Sequence, residues 1–275
     1  MENFINKDYY LPFLKEFCDK ALPLYECGYP QGPFIPFVMP NYMTAPVRIL
    51  YVGQDTREWT RYNVLKDAYE IDHLVDYLNA NKSNVYVEKM LEWNNNSRAF
   101  WPFANQLHLL IRTGEYISDL STINDDQKKL LGEMGYGNIF SIEIPKSLER
   151  IDSYEDVPVQ ELISNMEQYN SIREAAKPFE KIKTMIEAYR PDFIFILSWT
   201  EKPEILEDTD FLWQEKMYRD KDKKYRAVYL SNHYKTKIIW SIHPNRLGWL
   251  HFDKNDRADL IDFLADTYHL LSSEI

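Results

Sequence analysis

The amino-acid sequence predicts an α/β fold: a three-layer α/β/α sandwich around a four-stranded, mostly parallel central sheet. Two observations carry this. Four apolar runs, Val47–Val52, Asn138–Ile144, Phe193–Leu197 and Ile238–Ile242, have the β-branched and aromatic content of buried strands. Segments of helical period separate them, and strands alternating with helices build parallel sheets covered on both faces. No linker divides the chain, so residues 1–275 are predicted to form one domain, with residues 1–46 as a helical and proline-rich extension.

Met1 to Tyr25 reads as helical from the spacing of Phe4, Tyr9, Phe13, Leu14 and Phe17, with Pro12 as a kink or break. Gly28 to Pro46 carries six prolines or glycines between Pro30 and Pro46, and reads as an extended surface connection. After the first strand, Val64, Ala68, Ile71, Val75 and Leu78 make one face of an amphipathic helix. Asparagines 94–96 signal a loop. Pro102 suits the first turn of a helix that continues through Leu107, Leu110 and Ile111 to Gly114. Gly132, Gly135 and Gly137 announce the second strand. Ile172, Phe179, Ile182, Met185, Ile186 and Tyr189 mark one long helix, stopped by Pro191. Glu201 to Lys224 is strongly charged and reads as an exposed insertion. Arg226 to Leu230 is a possible extra strand. Leu260, Ile261, Leu264, Tyr268 and Leu271 form a closing helix.

Composition bounds the function. A hydrophobic content of 45% with 27% charged residues is that of an ordinary soluble globular protein. The first residues lack the basic start and apolar run of a signal peptide, and no apolar stretch is long enough to span a bilayer. Two cysteines, Cys18 and Cys27, are too few to ligate an iron–sulfur cluster and read as free thiols of a reducing compartment. A cytoplasmic, monomeric protein without membrane contact, cofactor or metal is expected. The net charge of −11 weighs against a nucleic-acid partner, although a local basic face is compatible with it.

Two stretches carry chemistry. In Ile49–Trp59 a strand runs into Gly53, Gln54 and Asp55, at the carboxyl end where open α/β sheets place their ligands. A carboxylate there can orient or deprotonate a water, and an amide can read a polar edge. On this stretch alone, a helix-capping Asp55 is the simpler reading. In Lys237–Leu247 the design repeats: an apolar strand, then His243, Pro244, Asn245, Arg246 and Leu247. A strand-end histidine before proline has no obvious core role.

Taken together, the Gly53 to Asp55 and His243 to Leu247 stretches resemble the two motifs of the uracil-DNA glycosylase superfamily. Its uracil-type members read Gly-Gln-Asp-Pro-Tyr-His and His-Pro-Ser-Pro-Leu. Ser97 to Trp101 and Tyr136 to Asn138 look like the mismatch-specific branch. The resemblance covers most of Val47 to Trp249 in patches, and only the two end motifs are specific. It implies that Asp55 orients or deprotonates the water attacking the sugar C1′, and that His243 stabilises charge on the departing base. It implies base contacts from the backbone around Gln54, stacking on Phe100 rather than Trp101, and edge recognition by Asn138. Arg57 and Arg246 would meet DNA, and Leu247 would fill the gap left by a flipped base. The plain alternatives are core packing for Phe100, Trp101 and Leu247, and a turn role for Asn138. Thr56, Arg57 and Glu58 replace Pro-Tyr-His, which removes the tyrosine that excludes the thymine methyl group. The alternative at the level of the whole protein is a catalytically silent member of the fold that binds nucleic acid, a nucleotide or, through an acidic surface, a protein.

Overall fold

The computed structural model describes residues 5–25, 33–54, 100–141, 166–198, 214–219, 226–231, 235–244 and 256–273. Among them the elements are α1 (Lys7–Tyr25), β1 (Phe37–Val38), β2 (Ile49–Gly53), α2 (Phe100–Thr113), α3 (Asp125–Leu131), β3 (Met134–Asn138), α4 (Met166–Glu180), α5 (Ile182–Tyr189), β4 (Phe193–Ser198), β5 (Gln214–Arg219), β6 (Arg226–Ser231), β7 (Lys237–Ile242) and α6 (Asp256–Ser273).

The strands form one sheet in the order β1-β3-β2-β4-β7-β6-β5. Its middle, β3-β2-β4-β7, is parallel throughout; β2, β4 and β7 correspond to three of the four predicted strands, and β3 shares only Asn138 with the fourth. The sheet is larger than the four strands expected. β1 adds antiparallel to β3, and β6 and β5 add antiparallel beyond β7. β6 is the possible extra strand of the sequence reading. β5 corrects the reading of Glu201 to Lys224, because part of that charged segment pairs into the sheet.

Side-chain alternation sends the strands into two cores. Leu50, Val52, Ile194, Ile196 and Ile238 pack with Ile182, Met185 and Ile186 of α5. Ile49, Tyr51, Phe193, Phe195 and Ile239 belong to a second core with Phe103 and Leu107 of α2 and Leu260, Leu264 and Tyr268 of α6. Tyr51 stacks on Phe195 at 5.4 Å, and Phe193 packs on Tyr268 at 4.6 Å. Both faces of the parallel strands are therefore dry and helix-covered, which explains why they read as continuous apolar runs.

Four further expectations are corrected. The second strand spans Met134–Asn138, not Asn138–Ile144. Gly135 and Gly137 are inside it because they must lack side chains. A Cβ at Gly135 would lie 2.7 Å from Leu50 Cδ1, and one at Gly137 3.0 Å from Met185 Sδ. The predicted long helix is two, broken at Lys181, and the second ends at Arg190 in the left-handed region (φ 48°) ahead of Pro191. α1 runs unbroken through Pro12. Phe34 to Met39 is buried core, not a surface connection, and it includes β1. The predicted helix through Val64 and Leu78 and the asparagine loop after Trp93 lie outside the described residues.

At the amino ends of the parallel strands, Asp192 ties the start of β4 to that of β2. Its carboxylate accepts from the Arg48 backbone N–H (2.8 Å) and from the guanidinium at 3.3 Å. Its backbone carbonyl accepts from Lys237 N at the start of β7. The opposite, carboxyl ends are where the polar residues gather. Among the described residues no helix is long and apolar enough to cross a membrane.

Candidate functional site

β2, β3 and β7 run parallel within one sheet, so the residues at their carboxyl ends share one edge. Gly53 ends β2 directly opposite Asn138, which ends β3. The ladder continues one step past the strands: Ile139 N–H donates to Gly53 O, and Phe140 N–H donates to Gln54 O, both at 2.9 Å. The backbone of Gln54 is thus held although it lies beyond the strand.

Alternation decides which side the site occupies. Asn138 shares parity with Tyr136, and Gly53 with Tyr51, so both face α2. The first residues of α2 arrive there. A Cβ on Gly53 would come 2.9 Å from Asn138 Oδ1 and 3.2 Å from Phe100 Cε2. Glycine is therefore required by the close approach of an amide and a ring. Phe100 lies nearly parallel to the His243 imidazole, with ring centroids 6.3 Å apart and planes 19° apart. Trp101 turns away and packs on Tyr136 at 4.4 Å. Gln54, Asn138 and His243 are all buried.

Three residues singled out in the sequence, Phe100, Asn138 and His243, therefore converge around Gly53, with the Gln54 backbone held beside them. Asp55, Arg57, Arg246 and Leu247 lie outside the described residues. The convergent side chains are an amide, an imidazole and an aromatic ring. Together they can hydrogen-bond a polar edge and pack against a planar face. Among the described residues no three histidine, cysteine, aspartate or glutamate side chains cluster as metal ligands. The Cys18 thiol is free, and burial, followed by the nearby Asp19 charge, pushes its pKa up to about 12, which makes it a poor nucleophile.

One feature of Gln54 has no signal in the sequence. The residue is 7% exposed, and its Oε1 is buried with no hydrogen-bond partner among the described residues. An orphan buried acceptor costs about 1–3 kcal/mol. Gln54→Met, similar in shape and without the acceptor, is expected to raise stability by about that amount and to weaken ligand binding. Urea unfolding checks the first part, and a less stable variant would show that the acceptor is satisfied in the folded protein. Gly53→Ala should lower stability and also weaken ligand binding. Overpacking of this kind costs about 1–3 kcal/mol, and the new methyl pushes Asn138 and Phe100 off their positions. Thermal unfolding and ligand titration of the variant would test this, and unchanged affinity would contradict it.

No family model matches the chain, and neither a curated protein nor a solved structure is similar to it.

Proposed function

We propose that the protein is a DNA-glycosylase-type enzyme that hydrolyses the N-glycosidic bond of a flipped pyrimidine-related base, on a three-layer α/β/α scaffold. The observation that carries this reading is the meeting of Asn138, Phe100 and His243 around Gly53, at the carboxyl edge of the sheet. A base drawn out of a helix needs an amide for its edge, an aromatic face to stack on, and a donor for the charge it acquires on leaving. Asn138, Phe100 and His243 supply one each. Asp55, next in the chain after Gln54, takes a proton from the attacking water. The oxygen bonds to C1′, and the C1′–N bond breaks with its electron pair going to the base. His243 stabilises that negative charge. Arg57 and Arg246 reach phosphates, and Leu247 fills the vacated position in the stack.

Arg57 stands where a methyl-excluding tyrosine would lie. A guanidinium is a charged fork of donors, ill suited to wall off a C5 position. The pocket therefore favours larger or polar-modified pyrimidines over uracil. The test is a panel of oligonucleotides, single- and double-stranded, carrying uracil, mismatched thymine and 5-substituted pyrimidines, followed by cleavage at abasic sites. Release of a modified base is expected. Efficient release of uracil with rejection of every 5-substituted base would refute the open pocket, as would an Arg57→Tyr variant with an unchanged substrate range. Release of nothing, with binding retained, would favour the second reading, a catalytically silent binder. The net charge of −11 is the observation behind that reading.

A further inference from the structure

We propose that Glu180 is a positioning residue of this site, holding the exit of β3 so that Asn138 and the Gln54 backbone face the ligand at a fixed angle. The inference rests on the proposed function, because it presumes a ligand read by Asn138.

Glu180 ends α4, far from Asn138 in sequence. Its Oε1 accepts from three donors: the Ser141 backbone N–H at 2.9 Å, the Ser141 hydroxyl at 3.2 Å and Arg173 Nη1 at 2.8 Å. The same hydroxyl lies 3.3 Å from the Ala176 carbonyl, so its hydrogen is shared between two acceptors on α4. Arg173 also sits over the Phe140 ring, 4.6 Å from its centroid. Ser141 is fully buried and Glu180 is 8% exposed.

The segment so anchored is short. Asn138, Ile139, Phe140 and Ser141 are consecutive. The amides of Ile139 and Phe140 bind the carbonyls of Gly53 and Gln54, and the carbonyl of Ser141 accepts from Phe34 N–H at 2.5 Å. Movement of Ser141 is therefore transmitted within three residues to Asn138 and, through Phe140, to Gln54. A buried ion pair is a weak source of stability, since apolar side chains of similar volume often do as well. Its effect here is on geometry: a carboxylate with three donors fixes one backbone amide in a strand exit that has left the ladder. Burial pushes the Glu180 carboxyl up from its ordinary range, against the opposing pull of Arg173 and Ser141, so the charged form is held at a cost.

The experiment uses the full chain and a duplex carrying a 2′-fluorinated 5-hydroxymethyl-deoxyuridine, whose base resists release. Dissociation constants are measured for wild type, Glu180→Ala, Glu180→Gln, Asn138→Ala and the Glu180→Ala/Asn138→Ala pair. Glu180→Ala is expected to weaken binding about tenfold. Glu180→Gln, which keeps an acceptor for the Ser141 amide, should recover most of the loss. The double variant should lose clearly less than the sum of the two single losses, because the Asn138 contact is common to both and only the Gln54 backbone contact is left for Glu180→Ala to disturb. A carboxylate that mattered only for stability would give full addition of the two losses, and that result overturns the proposal, as does wild-type affinity in Glu180→Ala. If Glu180→Ala fails to fold, Glu180→Asp, one methylene too short to reach Ser141, takes its place. Absence of binding by wild type sinks the proposed function and the positioning role with it, whereas binding by wild type with an additive cycle sinks the positioning role alone.

Discussion

Asp55→Asn is expected to slow base release by about 10²–10⁴-fold, the range typical of a lost general base, while leaving the fold unchanged. The amide keeps the shape of the carboxylate and loses its ability to take a proton from water. His243→Ala should cost a comparable factor for a different reason. The imidazole sits at the end of β7, buried and stacked against Phe100, where it can meet charge developing on a base. The two variants should separate in their secondary effects. Asp55→Asn should leave affinity for a non-hydrolysable substrate intact. His243→Ala also removes the ring that packs on Phe100, so it should weaken that affinity and lower the melting temperature. Single-turnover rates on a verified substrate, with unfolding curves beside them, decide the matter. Wild-type rates in both variants would end the hydrolytic mechanism.

The central parallel strands and the site edge were readable in the sequence because both depend on local pattern. A strand buried on both faces is an unbroken apolar run, and the ends of such runs are where polar residues become informative. Gly53 followed by Gln54, and Ile242 followed by His243, are such ends, and the sheet brings them together with Asn138. The second strand was misplaced because glycine in a sequence argues for a turn, whereas Gly135 and Gly137 are strand residues whose missing side chains admit Leu50 and Met185. The partners that require glycine there are 85 residues upstream and 48 downstream, counting 135 minus 50 and 185 minus 137. The same distance hides the Glu180 contact with Ser141 and the orphan acceptor of Gln54. Prolines between Pro33 and Pro40 looked like a surface loop, yet the apolar residues among them, Phe34, Ile35 and Phe37, are core. At that segment hydrophobic burial outweighs the loop signal of proline.

Acidification is expected to destabilise the protein through His108. This residue lies on α2, fully buried, with Nδ1 3.3 Å from the Tyr51 hydroxyl and Nε2 buried without a hydrogen-bond partner. The Leu130 backbone favours the protonated ring but is outweighed. An imidazolium would place a full charge in the dry core between β2 and α2. Burial first, and the Arg112 charge second, hold the pKa down from 6.5 to about 3. The sign follows from proton binding. Below pH 6.5 the unfolded chain takes up a proton that the folded chain refuses, so the stability contributed by the neutral ring is complete above that pH and is lost as pH falls toward 3. The slope in that window approaches about 1.4 kcal/mol per pH unit. His108→Gln provides the reference, since an amide of similar reach does not titrate and all other groups cancel in the difference. Urea unfolding of both proteins at neutral pH and at two acidic values should give curves that converge as pH falls, because only wild type loses this contribution. Parallel curves would show that His108 is charged in the folded protein. The effect is confined to the folding equilibrium. α2 begins with Phe100 and Tyr51 lies in the strand that ends at Gly53, but the folded ring stays neutral over this range. Ligand affinity measured where both proteins remain folded should therefore follow the same pH course in wild type and His108→Gln.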